Sequence, residues 1–165
     1  MRKYVFGLAG FIILFAADRL TKLAALSIKG TDGIPVINGV FRFLYLENHG
    51  AAFGVLQNQR FFLLFITSII LIIIIAAYIK IPFTKRYIPM SIILILIVSG
   101  AMGNMLDRIL NGYVIDFLYF ELIDFPIFNV ADCYVVIAAV LGAILIMFYY
   151  KDEDLEIFKP RNKKR

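Results

Sequence analysis

Six polar residues crowd into one window of a chain that is otherwise mostly hydrocarbon: Asn104, Asp107, Arg108, Asp116, Asn129 and Asp132. Polar groups beside hydrocarbon are costly unless they pair or meet water, so the window marks a candidate site. Asp116 and Asp132 are the two carboxylates most suited to act together. Brought close, two carboxylates cannot both ionise cheaply, and the pair shares one proton. The ionised member can then take a proton from water while the protonated one polarises a carbonyl. That is peptide hydrolysis without a metal or a covalent intermediate. The shared proton belongs to the pair.

The same residues carry structural readings too. Asp132 follows Asn129 by three, the spacing of a helix N-terminal cap, where a carboxylate stabilises the helix and does nothing more. A second carboxylate due at the same membrane face tips the choice toward function. Asn104, Asp107 and Arg108 lie at i, i+3 and i+4 and share a helical face. Arg108 can hold a carboxylate there, and Asn104 offers both a donor and an acceptor. Asp18 and Lys22, four apart, also share a face. Two readings fit them equally: an interfacial ion pair with Lys22 reaching to the headgroups, or a support that orients the surroundings of the aspartates. The single histidine, His49, leaves no Ser-His-Asp triad. The single cysteine, Cys133, leaves no intramolecular disulfide and no Cys-based metal cluster. His49 reads as an interfacial side chain and Cys133 as a small apolar filler.

The elements that must position this window are membrane helices. The 165 residues are 62% hydrophobic with a mean hydropathy of +0.87, well above a soluble domain's about 45–50% apolar usage. The chain reads as one all-α polytopic membrane domain, residues 1–165, with four transmembrane helices and a small extracytoplasmic β-rich loop region. The predicted spans are about 4–26, 61–79, 88–106 and 131–150. The first follows a basic Met1-Arg2-Lys3 start that resembles a signal peptide. Asp18, Arg19 and Lys22 and a continuing apolar pattern favour a retained helix, ~34 Å long from Tyr4 to Leu26. Ser99-Gly100-Ala101 and Gly103 on the third span favour close helix contact. Asn111-Gly112 stops that helix, and Val114–Phe120 is short and extended, with Asp116 just past the helix end.

Residues 27–60 form the longer loop. Asn38-Gly39 signals a hairpin, and Val40–Leu46 suits a strand lying on the bilayer surface with aromatics at headgroup level. The run Glu47–Gly54 is rich in small residues that let another backbone approach, or it is a re-entrant turn without chemistry. The tail, residues 151–165, carries both signs of charge and reads as solvated and loosely ordered.

Charge sets the orientation. Arg2, Lys3, Lys80, Lys85, Arg86, Lys151, Lys159, Arg161, Lys163, Lys164 and Arg165 fall on one side, against Lys29, Arg42 and Arg60 on the other. The positive-inside rule puts both termini in the cytoplasm and both aspartates at the extracytoplasmic face. The net charge of +5 is therefore topological and calls for no nucleic acid. Three other classes compete: a small transporter, which needs carboxylates spread across the bilayer; a metal-dependent hydrolase using Asp107, Asp116 and Asp132 as oxygen ligands; and a non-catalytic anchor subunit.

Five blocks, in register over nearly the whole chain, carry a resemblance. They are Asp18-x-x-x-Lys22, Asn48-x-Gly50-x-Ala52-Phe53-Gly54, Gly103-Asn104-x-x-Asp107-Arg108, Gly112-x-Val114-x-Asp116-Phe117 and Phe128-Asn129-x-Ala131-Asp132. Together they resemble the lipoprotein signal peptidase (signal peptidase II) family. The resemblance implies a bacterial inner-membrane aspartyl endopeptidase that removes prolipoprotein signal peptides, cutting before the diacylglyceryl-modified cysteine. It implies Asp116 and Asp132 as the catalytic pair, with Asn104, Arg108 and Asn129 near pair and substrate. It places Asn48 and Gly50 in a surface loop that helps enclose substrate, and Asp18 and Lys22 as support. Expected partners are prolipoproteins and membrane lipids, with no cofactor or metal, and the chain is expected to act as a monomer. The substrate's signal helix would pack among the spans, given room by Gly100, Gly103, Ala51 and Ala52. Its diacylglyceryl chains would position the scissile bond.

Overall fold

The computed structural model describes residues 1–50 and 55–158. Ala51–Gly54, which end the predicted Asn48–Gly54 block, and the basic residues 159–165 lie outside the described residues. Four long helices dominate: α1 (Arg2–Ala25), α2 (Arg60–Lys80), α3 (Ile88–Leu110) and α4 (Val130–Phe148). Three segments, Arg60–Lys80, Lys85–Leu110 and Val130–Phe148, are long and apolar enough to cross a membrane. Isoleucine-rich runs such as Ile69–Ile75 have modest helix propensity in water. In hydrocarbon every backbone N–H must be bonded internally, and the helix satisfies them all. Ile72, Ile73, Val136 and Ile146 point outward and stay exposed, as lipid-facing side chains do.

α3 runs four residues past the predicted span, and Asp107 and Arg108 lie on it as their shared-face spacing predicts. It stops as the Asn111-Gly112 pair predicts: Asn111 N–H donates to Asp107 O (2.8 Å), and Gly112 takes a left-handed φ of 86°. The chain then enters β3 (Val114–Tyr119). This strand completes an antiparallel sheet with β1 (Ile34–Ile37) and β2 (Phe41–Asn48), in the order β1-β2-β3. The predicted hairpin lies between β1 and β2, with Gly39 left-handed at its turn. β2 extends two residues beyond the predicted strand, through Glu47 and Asn48. Those residues pair with Ile115 and Val114, so Asn48 lands beside the strand segment that carries Asp116.

The bundle has two dissimilar ends. The sheet covers one, packing Ile115 and Phe117 against Ala25 with Phe43 and Val130 around them. At the other end Ile81, Met90, Leu94 and Tyr150 form an apolar cluster. Here residues 151–158 depart from the loose order predicted for the tail. A short turn of helix, α5 (Asp152–Leu155), is followed by a 3₁₀ turn (Glu156–Phe158), and Leu155, Ile157 and Phe158 pack onto that cluster. The apolar residues at 155, 157 and 158 gain a surface to cover, which offsets the entropy of ordering the segment.

Candidate active site

Asp116 sits in the interior of β3 and is 1% exposed. An isolated bridge between Leu118 and Phe128 draws the segment before α4 alongside this strand. Asn129 follows immediately and caps α4. Its Oδ1 accepts the Asp132 backbone N–H (3.1 Å), and its own N–H donates to Asp132 Oδ2 (3.1 Å). This is the reciprocal capping box that the spacing predicts. The same asparagine does more: Nδ2 donates to Asp116 Oδ1 at 2.5 Å. One buried carboxamide therefore joins the cap carboxylate to the strand carboxylate.

Two further asparagines complete the frame. Asn104 Nδ2 donates to Asp132 Oδ1 (2.8 Å), and Asn48 Nδ2 donates to Asp116 Oδ2 (2.8 Å). Asn48 is itself held by Gly50, whose N–H donates to Asn48 Oδ1 (2.9 Å). All four carboxylate oxygens of the pair thus accept a hydrogen bond from an asparagine. Burial is the main cause that pushes Asp116 up to about 7, with the nearby Asp132 charge adding to it; the two amide donors and Lys22 work against the rise.

Lys22 is not at the headgroups. Its side chain is fully buried and donates to Asn104 Oδ1 (2.8 Å), which aims the other end of that amide at Asp132. Its Nζ lies 3.2 Å from Asp18 and 2.8 Å from Asp107. Arg19 pairs with the remaining oxygen of Asp107. Two cations thus balance two anions, the condition under which buried charge is tolerable. The carboxylates also take backbone donors: Asp18 from Ala131 N–H (3.1 Å) and Asp107 from Ile115 N–H (3.3 Å). The node ties α1, α3, β3 and α4 together. The Asp18–Lys22 ion pair is present, but it is buried inside the bundle, where Lys22 cannot reach the headgroups.

Three expectations need correction. Arg108 holds no carboxylate; it donates to Gly50 O (2.8 Å) and Asn104 O (3.4 Å) and lines the cavity below. Gly100 and Gly103 leave no room for a substrate helix, because a Cβ there would lie 2.5 Å from Ala131 O and 2.3 Å from Asp18 Oδ2. Their space is used by α4 and by the Asp18 carboxylate. Asp107 has both oxygens committed to Lys22, Arg19 and Ile115, so it cannot serve as a third ligand beside the pair. Arg19, adjacent to Asp18 and three residues from Lys22, joins the node through Asp107, a partner that no local spacing signals.

A cavity of about 790 Å³ opens onto the pair. Asn48, Asn104, Arg108, Asp116 and Asp132 form its polar end. Pro126, Ile127 and Phe128 and the α4 residues Cys133, Val135, Val136 and Ile137 form an apolar wall, so Cys133 lines the cavity as well as filling space.

The profile of the family described as Signal peptidase (SPase) II matches residues 10–149. This chain belongs to the signal peptidase II family. It is 41% identical over 133 residues to a lipoprotein signal peptidase of Caldanaerobacter subterraneus subsp. tengcongensis, covering 79% of this chain and 88% of that one. It is 38% identical over 155 residues to a lipoprotein signal peptidase of Streptococcus pyogenes serotype M5, covering 93% and 98%. A solved bacterial membrane enzyme, crystallised by the in meso method, superposes with a TM-score of 0.77 at 31% identity, covering 89% of this chain and 92% of that one. A second such structure superposes with a TM-score of 0.75. As a signal peptidase II, the chain is an integral membrane peptidase, and its acid pair lies at the sheet end of the bundle.

Proposed function

We propose that this signal peptidase II is an aspartyl endopeptidase that removes signal peptides from bacterial prolipoproteins, cutting before the diacylglyceryl-modified cysteine. The observation that carries the reading is Asn129, whose side chain and backbone hold Asp116 and Asp132 together at the polar end of an otherwise apolar cavity. One carboxylate takes a proton from water while the other, protonated, polarises the scissile carbonyl. Asn48, Asn104 and Asn129 orient the acids, Arg108 holds the Gly50 loop beside them, and the Asp18–Lys22 node fixes Asn104. The apolar α4 wall receives the substrate's hydrocarbon by lateral diffusion in the bilayer. All four long helices of this single domain cross the bacterial inner membrane, and the chain acts as a monomer. Both termini are cytoplasmic and the sheet end is extracytoplasmic, in keeping with the basic residues at the other end.

The test is cleavage of a diacylglyceryl-modified prolipoprotein by purified protein in lipid, beside Asp116→Asn and Asp132→Asn, with and without chelator. Chelator-insensitive cleavage lost in both folded variants is expected. Retained cleavage in either variant returns that aspartate to a purely structural part.

A further inference from the structure

At the bundle end far from the acid pair, α1, α2 and α3 leave a groove of about 390 Å³ between them. Tyr4, Gly7, Phe11, Ile75, Tyr78 and Val98 are among its lining residues, and the lining is almost wholly apolar. Gly7 lets Tyr78 pack onto α1: a Cβ there would come within 2.4 Å of the Tyr78 hydroxyl, which donates to Lys3 O (2.8 Å).

A cation stands at the mouth of this groove. Lys3 Nζ lies 5.0 Å from the centroid of the Tyr78 ring and 5.7 Å from that of Tyr4, both lining residues. It donates to the carbonyls of Ile79 (3.0 Å) and Ile81 (2.5 Å), which close the C-terminal turn of α2. An ammonium has three donors, and carbonyls spend two. No carboxylate among the described residues forms a salt bridge with Lys3, so its charge is uncompensated there. Arg2 and Lys80, both exposed, flank it in sequence and across that turn. An apolar slot on a membrane helix bundle, with a partly donor-satisfied cation against two of its lining rings and two further exposed basic residues next to that cation or to the α2 turn it bonds, complements one kind of molecule.

We infer that this groove is a binding site for an anionic phospholipid, with an acyl chain between α1, α2 and α3 and the phosphate on Lys3. Hydrocarbon fills the slot, and the third Lys3 donor makes a charge-assisted bond to the phosphate. The site lies apart from the peptidase cavity and shares no residue with it.

Native mass spectrometry of the whole protein released from detergent, titrated with phosphatidylglycerol and phosphatidylcholine of identical chains, tests this. The wild type is expected to retain phosphatidylglycerol several-fold more than phosphatidylcholine. Lys3→Gln is expected to bring the two to the same level, and Lys3→Arg to keep the difference. Ile75→Trp, at a half-exposed groove position, is expected to lower both, while Ile144→Trp on exposed α4 surface changes neither. Prolipoprotein cleavage by Lys3→Gln serves as the check that the variant is folded. Equal retention of the two lipids by the wild type overturns the inference, as does selectivity that survives Lys3→Gln. A dimer that Ile75→Trp dissolves would overturn it too, by assigning the groove to a second copy of the chain.

Discussion

The two ends of this bundle are held by different physics. At the sheet end the ties are charges and amides taken out of water: Asp18, Lys22 and Asp107 are fully buried, and three asparagines hold the acid pair. At the opposite end the ties are rings, carbonyls and a partly exposed ion pair. Arg86 lies 4.1 Å over the Tyr149 ring, bonds the Tyr149 carbonyl and pairs with Asp154 at 2.7 Å. Tyr150 donates to Arg86 O (3.0 Å) and accepts from Met90 N–H (3.3 Å). Both ends join the same helices. Only the sheet end must place atoms for chemistry, and directional buried bonds fix a geometry that apolar contact leaves loose.

The contrast is broken most severely at Lys22. Lys22→Met keeps the side-chain length but leaves Asp18 and Asp107 with only Arg19 to balance them. A loss of about 3–5 kcal/mol is expected, read as a lower unfolding temperature in detergent, together with lost cleavage as Asn104 is freed to turn. Gly103→Ala comes next. Its methyl overlaps the Asp18 carboxylate, and about 1–3 kcal/mol is expected from overpacking, with cleavage falling in parallel. A Gly103→Ala protein as stable as wild type would show that the node yields more easily than its burial indicates.

The acid pair gives a pH signature. The folded-state pKa of Asp116 is raised to about 7 from an ordinary carboxylate value near 4. The protonated form is therefore favoured by folding, and its stabilising contribution is complete below pH about 4 and lost as pH rises through about 7. Wild-type unfolding temperature is expected to fall over that window, and Asp116→Asn to flatten the slope. Catalysis should follow the same group, with kcat declining about tenfold per unit on the alkaline side as the shared proton leaves. A rate that keeps climbing above pH 8 would contradict the shared-proton mechanism. The smallest effect is expected at the other end. Arg86→Gln should lower the unfolding temperature slightly, because the pair with Asp154 is partly exposed and screened, and leave cleavage unchanged.

Much of this site was legible because its signals are local. The Asn129–Asp132 cap, the Asn111-Gly112 stop and the hairpin at Asn38-Gly39 each follow from spacings of a few residues, and all three occur. Four apolar runs gave the four helices within a few residues at each end. What stayed hidden depends on register and rotation between distant segments. Asn48 reaches Asp116, 68 residues away in the chain, only because β2 and β3 pair Asn48 with Val114. Lys22 fits a snorkelling and a supporting reading equally until α3 supplies Asp107 and Asn104 on the face that α1 turns inward. Arg108 shares a helical face with Asn104 and can hold a carboxylate by type, but the nearest one in sequence, Asp107, is taken by two cations of α1, and Arg108 turns to backbone carbonyls instead. Phe158 and its neighbours gave no periodic signal, being too short a segment for one.

The balanced node has a consequence for how the protein is made. Synthesis runs from the N-terminus, so α1 meets the bilayer before α3 exists. Asp18 neutralises Lys22 within α1 itself, but Arg19 waits for Asp107, 88 residues later. In the proposed four-span topology, α1 carries one uncancelled positive charge during that interval, at a depth where charge is costly. The first helix is thus committed to its place only when the third arrives, and the order of synthesis becomes the order of assembly.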